Sequence, residues 1–367
     1  MERAPPTRPS RERSLRARPS AERSLIDAFL RPFGRARNAT RAAGIEVGAG
    51  LSDCAVLRPS PGMQLVATTD AVVEGVHFDR RWFSPEDIGW KALAVNLSDL
   101  AAAGARPRWF LCALGVPRGV KGAEACASRM ARGMAVLARR HGCAIAGGNV
   151  TAASEWSVTI TALGEARHPL TRKGARPGDA LVVAGKLGDA ALALAIARRH
   201  FLRSAQDPLR VRDEVSSGVR HPARGAGSTT LPALTRRSLR AQLRPTPLVE
   251  QGLAAAKLAS AAIDVSDGFL GDLAQLAHAS GCGAVVDCAA LPLGPAARRS
   301  PDGLSLALSG GEDYALLFAV PRARLQRLLE ATDGVEVGRF VRGSGIELTE
   351  LGVPRPLPAD LGFDHLR

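Results

Sequence analysis

The sequence has no apolar run long enough to cross a bilayer, and its Arg-rich N-terminal segment lacks the hydrophobic stretch of a secretory signal. An integral membrane protein is therefore not expected, and neither is a membrane partner. The six cysteines form no C-x-x-C pair and show no spacing typical of zinc ligands, so we expect small apolar side chains in a reducing compartment. These absences together predict a cytoplasmic globular protein in which the cysteines carry no chemistry.

Aromatic residues are also scarce, at 4% of 367 residues, and they are nearly absent where the positive charge is concentrated. Residues 1–25 carry a net charge of +4 and residues 203–244 carry +6, which together account for +10 of the total of +14. Both segments are rich in Pro, Ser, Gly or Ala, so we expect a disordered basic tail at 1–23 and a basic low-complexity insert at about 203–236. Without aromatic side chains for stacking on bases, nucleic-acid binding is only a weak alternative.

The familiar signatures of phosphate-transfer and hydrolytic enzymes are missing as well. There is no Walker loop, no kinase Gly-rich loop, no nucleophile elbow and no H-E-x-x-H zinc motif. The sequence has instead a series of acidic residues, most of them at the end of a short apolar or Gly-rich segment. Many carboxylates without a nucleophile suggest a site that holds several Mg²⁺ ions around a polyphosphate, because phosphoryl transfer needs little beyond positioning and charge neutralisation.

The most informative of these segments follows the apolar residues 65–67, which predict the end of a buried strand. The strand would bring Thr68, Thr69 and Asp70 to the point where it stops. Two hydroxyls beside a carboxylate are hard oxygen ligands that suit Mg²⁺, and His77 is able to meet a phosphate or carry a proton. Taken alone, the same residues also fit a plain strand end followed by a turn and a surface histidine.

Two further acidic residues stand close to this segment in the sequence. Asp53 follows a Gly-rich stretch and precedes a predicted strand, so that two neighbouring strands could bring it to Asp70. Asp99 falls on the apolar stripe of a helix predicted from Ser84 to about Ala102, where an unpaired carboxylate would be costly. Such an aspartate is either a buried cap near the helix end or a ligand, and its acidic neighbours favour the ligand.

Other polar residues of interest also lie close to predicted strands. After the strand that starts at Cys143, the pair Gly147-Gly148 allows close backbone approach and Asn149 adds an amide oxygen. The corresponding residues in the second half of the chain are Arg172 in a turn, Asp264, Ser266 and Asp267 after a strand, and Glu312 with Asp313 after a Gly pair. An arginine in a turn is by default solvated, and two acids after a Gly pair could equally be turn residues.

Predicted strands and helices alternate along the chain, which indicates an α+β or α/β arrangement. A turn signal at residues 171–179 marks the start of a second domain, and the chain is long enough to bury two cores. We therefore expect an N-terminal domain at 24–168 and a C-terminal domain at 169–367.

Seven segments, in this order along the chain, resemble thiamine-monophosphate kinases. They are SDCAVL (52–57), TTDAVVEGVHF (68–78), IGWKALAVNLSDLAAAGARP (88–107), GGNVT (147–151), LTRKGARPGDALVVAGKLGDAA (170–191), AIDVSDG (262–268) and LSGGEDYALLF (308–318). A single motif of this kind would carry little weight, whereas seven in register are highly specific. The resemblance runs from about residue 24 to the C-terminus, except for the insert.

The resemblance implies a two-domain α+β fold in the superfamily of aminoimidazole ribonucleotide synthetase and selenophosphate synthetase. It implies that the N-terminal sheet dimerises into a barrel, so that the protein is a homodimer, and that ATP binds where the two domains meet. The implied reaction is the ATP- and Mg²⁺-dependent phosphorylation of thiamine monophosphate to thiamine diphosphate. Transfer would be direct and in line, without a phosphoenzyme.

The resemblance also implies roles for individual residues, of which Asp70, Asp99 and Asp264 would be the catalytic carboxylates. The implied Mg²⁺ ligands are Asp53, Thr68, Thr69, Asp70, Asp99, Asn149, Asp264 and Asp267. The implied contacts to ATP are Gly147, Gly148, Asn149, Arg172 and Ser266. The implied contacts to thiamine monophosphate are His77, Glu312 and Phe363.

Two positions depart from the family pattern. Ser52-Asp53 stands where the family usually has two acids, and Asn149 stands where it often has aspartate, which should weaken Mg²⁺ binding there. We expect an active site nonetheless, because Asp70 and Asp99 are retained. The alternatives are another ATP-dependent synthetase of the same superfamily and a catalytically weakened nucleotide-binding homologue.

Overall fold

A computed structural model of the chain describes residues 20–34, 44–48, 54–205 and 239–362, with the backbone alone for 201–205. Most of the expected basic tail and insert lie outside the described residues, and so do the site candidates Asp53 and Phe363. The first helix begins at Ala21, two residues before the expected end of the tail at residue 23, because the Ser20 side chain caps it by accepting a hydrogen bond from a backbone N–H.

Helices and strands are distributed over both halves of the chain. The α-helices are α1 (Ala21–Leu30), α2 (Pro85–Ala102), α3 (Ala123–Arg140), α4 (Asp189–Ala205), α5 (Arg240–Leu243), α6 (Val249–Ala255), α7 (Phe269–Ser280), α8 (Gly303–Ser309) and α9 (Leu325–Thr332). The strands are β1 (Ile45–Val47), β2 (Val56–Leu57), β3 (Gln64–Val73), β4 (Arg106–Pro117), β5 (Ala144–Ala153), β6 (Ser157–Ala166), β7 (Ala180–Ala184), β8 (Ala261–Asp264), β9 (Gly283–Asp287), β10 (Leu316–Val320), β11 (Val335–Val341), β12 (Ile346–Glu350) and β13 (Val353–Arg355). None of the helices in the described part of the chain is both long and apolar enough to cross a membrane.

The first sheet has four strands in the order β3-β6-β4-β5, so that β3 and β5 form its two edges. Strand β6 is antiparallel to both of its neighbours, and β4 is parallel to β5. Helix α2 covers one face of this sheet, and α3 packs closely on α2. The two helices can approach because Gly89 has no side chain: a Cβ there would lie 1.9 Å from the Met130 carbonyl oxygen.

Strand β3 differs from the expected buried strand end. It continues to Val73, so that Thr68, Thr69 and Asp70 lie within the strand rather than after it. Leu65 is 51% exposed, because β3 is an edge strand and only one of its faces packs against α2. The expectation of a buried strand that stops at these residues is therefore wrong.

The Gly pair expected to follow a strand lies within one instead. The strand continues through Gly147, Gly148 and Asn149 to Ala153. Gly148 is required by strand pairing, since a Cβ there would lie 2.0 Å from the Cys112 carbonyl oxygen of β4. The close backbone approach that the Gly pair permits is thus made by a neighbouring strand.

The second sheet has seven strands in the order β13-β12-β9-β11-β7-β10-β8. All neighbours pair antiparallel except β12 and β9, which are parallel. Strands β7, β10 and β8 are buried on both faces. One face shares a core with α2 and the other packs against α7, so the first half of the chain covers part of the second sheet.

Helix α2 lies at the junction of the two sheets, and nearly all of its residues are buried. Ser84 and Asp87 form a capping box at its start, with Pro85 in the first turn. The helix ends at Ala102, as predicted, and Gly104 follows with a φ of 62°. A helix that is apolar on most sides is stable only when other elements surround it, which is the position that the fold gives to α2.

Candidate active site

Asp99 lies near the end of α2 and faces the edge strand β3. The Thr68 hydroxyl donates a hydrogen bond of 2.5 Å to Asp99 Oδ2, which joins the strand to the helix. Burial raises the pKa of Asp99, the hydrogen bond from Thr68 opposes this, and the negative charge of Asp70 raises it further. Asp70 is two positions along β3 from Thr68 and therefore on the same face of the strand. The structure thus brings Thr68, Asp70 and Asp99 together.

Ser98 connects the same helix to the second sheet. Its hydroxyl donates a hydrogen bond of 2.7 Å to Oδ2 of Asp264, the last residue of β8. Burial raises the pKa of the Asp264 carboxyl group, and the charge of Asp99 raises it further, while the bond from Ser98 lowers it. Asp264 of the second sheet therefore lies within electrostatic reach of Asp99.

The carboxylates of Asp70, Asp99 and Asp264 fit a divalent cation by their chemistry. Their mutual repulsion contributes to the raised pKa values of Asp99 and Asp264, and a hard cation that accepts oxygen ligands would offset it. Within the described ranges, no group of three or more His, Cys, Asp and Glu side chains is compact enough to hold a metal ion by itself. The described ligand set is therefore partial and needs further oxygen donors.

Arg172 lies beside the carboxylate cluster, since its positive charge lowers the pKa of Asp99. Arg172 Nη1 donates a hydrogen bond of 2.8 Å to Gln275 Oε1 on α7. Gln275 Nε2 in turn donates to Asp272 Oδ1 at 3.3 Å. The arginine expected to contact ATP is therefore held by Gln275, whose own amide is held by Asp272 of the same helix.

One buried carboxylate also holds the loop formed by Ser266, Asp267 and Gly268. Asp272 Oδ2 accepts hydrogen bonds of 3.0, 3.1 and 3.2 Å from the three backbone N–H groups of this loop. Burial raises the pKa of Asp272 to about 7, and the charge of Asp267 adds to this, whereas the hydrogen bonds oppose it. Gly311 packs so closely that a Cβ there would lie 2.4 Å from the Ser266 carbonyl oxygen. These contacts fix the backbone that carries Ser266 and Asp267.

The carboxylate of Glu312, which precedes β10 of the second sheet, contacts Lys91 of α2. Lys91 Nζ lies 2.5 Å from Glu312 Oε1 and donates a hydrogen bond of 2.9 Å to the His77 carbonyl oxygen. Gln242 Nε2 donates to the other carboxylate oxygen, Glu312 Oε2. The φ of Glu312 is 69°, a left-handed conformation that residues with a side chain adopt at an energetic cost. Lys91 thus links two of the expected substrate contacts, Glu312 and His77.

His77 lines a cavity of about 340 Å³ between the two halves of the chain. The opposite wall includes Arg198 and Gln242, and the aromatic lining residues are Phe78, Trp82 and Phe83. His77 Nδ1 accepts a hydrogen bond of 3.2 Å from the Val73 N–H, so the neutral ring carries its proton on Nε2. A cavity of this size with aromatic walls and a few polar groups suits an aromatic ligand that carries polar substituents.

Residues 147–149 are not brought to the carboxylate cluster. In the register of the sheet, Asp70 pairs with Ile160, Ile160 with Cys112, and Cys112 with Gly148. Three strand spacings of roughly 4.8 Å separate Asp70 from the Gly pair by about 14 Å along the sheet. No single ion can therefore contact both Asp70 and this segment of the same chain.

Thr69 also points away from the cluster. Its hydroxyl donates a hydrogen bond of 3.1 Å to the Ile160 carbonyl oxygen and lies 3.2 Å from the Thr161 hydroxyl, on the face of β3 opposite to Thr68. The neighbours Thr68 and Thr69, which the sequence treats alike, therefore have different surroundings.

Asp313 caps a helix, which goes beyond the turn position that the sequence suggested. Its carboxylate accepts hydrogen bonds from the Gly188 N–H (2.7 Å) and the Ala190 N–H (3.3 Å) at the start of α4. Burial raises the pKa of Asp313 to about 7, and these two hydrogen bonds oppose the shift. Asp313 therefore fixes α4, which contributes Arg198 to the cavity, next to Glu312.

Sequence reasoning missed the residues that hold the site together, namely Lys91, Ser98, Gln242, Asp272 and Gln275. Two of them left a signal. Lys91 is a charged residue in the apolar run IGWKALAVNL, and Asp272 stands in the first turn of the helix that follows Ser-Asp-Gly. The partners of Ser98, Gln242 and Gln275 are 166, 70 and 103 positions away, so no local pattern could reveal them.

Comparison with known proteins places the chain among relatives of the same architecture. The domain models of AIR synthase related proteins match residues 51–166 with the N-terminal domain and residues 176–349 with the C-terminal domain. The chain is 38% identical over 305 residues to the thiamine-monophosphate kinase of Salmonella typhimurium, which covers 82% of each chain.

Two solved structures resemble the fold. The crystal structure of thiamine-monophosphate kinase from Stenotrophomonas maltophilia K279a has a TM-score of 0.71 and 36% identity, covering 91% of this chain and 98% of that one. AaThiL complexed with AMPPCP and TMP has a TM-score of 0.68 and 28% identity, covering 84% of this chain and 89% of that one.

The two sheets and their matched domains are those of an AIR synthase related protein with two α+β domains. Within this class, the chain belongs to the thiamine-monophosphate kinase family. The resemblance carried by the seven sequence segments is thereby confirmed.

Proposed function

We propose that the chain transfers the γ-phosphoryl group of ATP to thiamine monophosphate, giving thiamine diphosphate and ADP. The observation that carries the proposal is that α2 binds Thr68 of β3 through Asp99 and binds Asp264 of β8 through Ser98, in a member of the thiamine-monophosphate kinase family. A relative of the same fold has been solved with TMP and with AMPPCP, an ATP analogue, which supports both substrates. Phosphoryl transfer needs positioned charge rather than a nucleophilic side chain, which agrees with this cluster.

We propose Mg²⁺ as the cofactor, held by Asp70, Asp99 and Asp264 together with Thr68, and by Asp53 and Asp267 from flanking segments. When bound, Mg²⁺ neutralises the negative charge that phosphate oxygens bring to the site. Hydrogen bonds within the chain fix the positions of the carboxylates that would bind the ion. Thr68 orients Asp99, Ser98 orients Asp264, and Asp272 orients the loop of Asp267. Thr69 is omitted because its hydroxyl is bound to β6 on the other face.

We propose that ATP lies against the loop that carries Ser266 and beside Arg172. The guanidinium group of Arg172 supplies a fixed positive charge near the cluster, which suits a phosphate group of ATP. Direct in-line transfer from this position to the acceptor needs no covalent enzyme intermediate.

We propose that the cavity beside His77 holds the aromatic part of thiamine monophosphate, with Glu312 at its edge. Phe363, the third expected contact, lies outside the described residues and directly follows Gly362. Gly362 packs on the loop of Asp267, where a Cβ would lie 2.9 Å from the Asp267 carbonyl oxygen. Because Gly362 lies beside this loop, we assign Phe363, the next residue in the sequence, to the same site.

We propose that two copies of the chain dimerise through the open edges of the first sheet. Both β3 and β5 are edge strands of that sheet, and Leu65 of β3 is exposed. A barrel made from two such sheets could bring Gly147, Gly148 and Asn149 of the partner subunit to Asp70, which the same chain cannot do. We therefore propose that Gly147, Gly148 and Asn149 contact Mg²⁺ or ATP in the active site of the partner subunit.

Subunit mixing tests this arrangement. Asp70→Asn and Asn149→Ala chains are co-expressed with different tags, and the mixed dimer is purified. If each site takes Asp70 from one chain and Asn149 from the other, the mixed dimer contains one intact site and recovers activity that neither parent has. A mixed dimer as inactive as its parents, or a monomeric protein, would refute the shared site.

The reaction itself is tested with purified full-length protein, ATP, Mg²⁺ and thiamine monophosphate, with thiamine diphosphate followed by chromatography. We expect product from the wild type, almost none from Asp70→Asn, and none after chelation of the metal. ATP binding without product would indicate a weakened nucleotide-binding homologue. Product from a different acceptor would indicate another synthetase of the class.

The domain limits of 24–168 and 169–367 and a cytoplasmic location are also part of the proposal. The first sheet ends at Ala166 and the second begins at Ala180, so the proposed limit falls between them. Limited proteolysis with mass spectrometry would test the limits and cell fractionation would test the location. Cleavage first within one of the sheets would contradict the division.

A further inference from the structure

Lys91 is a buried cation that joins the two halves of the molecule. Its side chain is 1% exposed, and Nζ contacts Glu312 Oε1 at 2.5 Å and the His77 carbonyl oxygen at 2.9 Å. Nζ also lies 5.4 Å from the centre of the Phe83 ring. A buried ion pair is seldom more stabilising than apolar residues of the same volume. A contribution to stability alone therefore does not explain why Lys91 and Glu312 form an ion pair beside a cavity.

The same ion pair orients the carboxamide of Gln242. Gln242 Nε2 donates to Glu312 Oε2, so the position of the Glu312 carboxylate decides which end of the amide is the donor. This leaves Gln242 Oε1 as an acceptor, and it is buried and without a hydrogen-bond partner among the described residues. Gln242 is 4% exposed and lines the cavity. A buried acceptor without a partner is costly, and a donor group on a ligand would satisfy it.

The segment that carries Gln242 is fixed to α2 by two further bonds. Trp90 Nε1 donates to the Pro245 carbonyl oxygen at 2.8 Å, and Arg244 Nε donates to Asp87 Oδ1 at 2.6 Å. Both α2 partners, Trp90 and Asp87, lie within one turn of Lys91. These bonds fix the segment that carries Gln242 at the wall of the cavity.

We propose that Gln242 determines acceptor specificity by accepting a hydrogen bond from an N–H group of the heteroaromatic acceptor, and that Lys91 and Glu312 position it. The inference rests on the proposed function, since thiamine carries an amino group on its pyrimidine ring. A site built to pair a donor rejects an analogue without that donor far more strongly than an apolar pocket would. Lys91 is a positioning residue, because it acts through Glu312 and the His77 backbone.

The test uses two acceptors and two matched pairs of variants. The acceptors are thiamine monophosphate and the analogue in which an oxo group replaces the pyrimidine amino group. Gln242→Leu is compared with Gln326→Leu, and Lys91→Met with Lys257→Met, where Gln326 and Lys257 are exposed. The KM for each acceptor, the KM for ATP and the thermal unfolding midpoint are measured for each protein.

We expect Gln242→Leu to raise the KM for thiamine monophosphate roughly tenfold, to leave the KM for ATP within about twofold, and to abolish most of the discrimination between the acceptors. Lys91→Met should act in the same direction. If Lys91 acts through Glu312, the double variant Lys91→Met/Glu312→Gln should bind the acceptor no more weakly than Glu312→Gln. The two surface variants should match the wild type.

Failure of the inference is distinct from failure of the proposed function. A wild type that makes no thiamine diphosphate overturns the proposed function before any variant is compared. An active wild type whose Gln242→Leu variant keeps both its KM and its discrimination overturns the inference. Equal rises in the KM for ATP and for the acceptor, with a lowered unfolding midpoint, would assign Lys91 and Gln242 a purely structural role. Gln242→Leu replaces a neutral residue by one of similar size. This variant therefore tests the role of Gln242 in acceptor specificity even if Lys91→Met does not fold.

Discussion

The Ser98 hydroxyl donates a hydrogen bond of 2.7 Å to the Asp264 carboxylate, although the two residues are 166 positions apart and belong to different halves of the molecule. The next residue, Asp99, accepts a hydrogen bond from Thr68 of the first sheet. Consecutive residues of α2 thus hold one side chain from each sheet. The carboxylate cluster exists only when both sheets are packed on this helix, so assembly of the site depends on the docking of the two domains.

Replacing Ser98 by alanine should impair the use of the metal more than the fold. The change removes the hydrogen bond to a buried carboxylate, which costs about 1–3 kcal/mol at that group and favours its protonated form. We expect the Mg²⁺ concentration for half-maximal activity to rise roughly tenfold. A Mg²⁺ titration of activity measures this, with Ser305→Ala on an exposed face of α8 as the control. An unchanged titration would show that Ser98 does not orient Asp264.

Replacing Asp99 by asparagine should stabilise the metal-free protein while it abolishes activity. Burial and the charge of Asp70 disfavour the ionised Asp99 carboxylate, and asparagine removes that charge while its amide oxygen can still accept the hydrogen bond from Thr68. We expect the free energy of unfolding to rise by about 1 kcal/mol in the presence of a chelator. Chemical denaturation with and without Mg²⁺ measures this. A destabilised variant would contradict the view that Asp99 is retained for function.

Replacing Asp272 by asparagine should weaken ATP binding selectively. The Asp272 Oδ2 atom accepts three backbone N–H groups, and an NH₂ group in its place would face donors instead of pairing with them. We expect the KM for ATP to rise roughly tenfold and the KM for thiamine monophosphate to stay within about twofold. Asp302→Asn, at an exposed site before α8, is the control. Equal changes in both constants would mean that the loop supports the whole fold rather than the nucleotide site.

Asp313 should give the stability of the protein a pH dependence of defined sign. Its pKa rises from 3.8 to about 7 on folding, chiefly through burial. Between these values the folded state binds the proton more tightly than the unfolded state, so the stability contributed by Asp313 is present at low pH and is lost as the pH rises towards 7. Relative to Asp313→Asn, the free energy of unfolding should therefore decline by up to about 1.4 kcal/mol per pH unit through this window.

Urea denaturation of the wild type and Asp313→Asn at several pH values between about 4 and 8 measures that difference. Asp302→Asn, at an exposed site, serves as the control. A difference that is constant with pH would show that Asp313 is ionised throughout and acts only as the cap of α4.

The limits of helix α2 could be predicted from local sequence patterns. Its start at Pro85 follows from Ser84 and Asp87, and its end at Ala102 from Gly104, so both limits were predictable from neighbouring residues. The acids of the site were found in the same way, because each stands next to a strand or on a helix stripe.

Strand β3 shows where these patterns fail. Leu65 and its neighbours are apolar, which is the pattern of a buried strand, yet they lie on an open sheet edge. Burial of a strand depends on what covers its two faces and its edge, and those elements come from distant parts of the chain or from a second copy. The separation of Asp70 from Gly148 likewise follows from the strand order, which no segment of sequence contains.

The sequence by itself determined the limits of the central helix, the identity of the oxygen-bearing residues and, through seven ordered segments, the family. Only the tertiary structure decided which of these residues meet. Thr68 reaches Asp99 whereas Thr69 does not, Ser98 rather than another hydroxyl holds Asp264, and Lys91 connects Glu312 to His77. The physical reason is that caps and periodicity act over a few residues, whereas these hydrogen bonds and ion pairs depend on how two sheets pack against one helix.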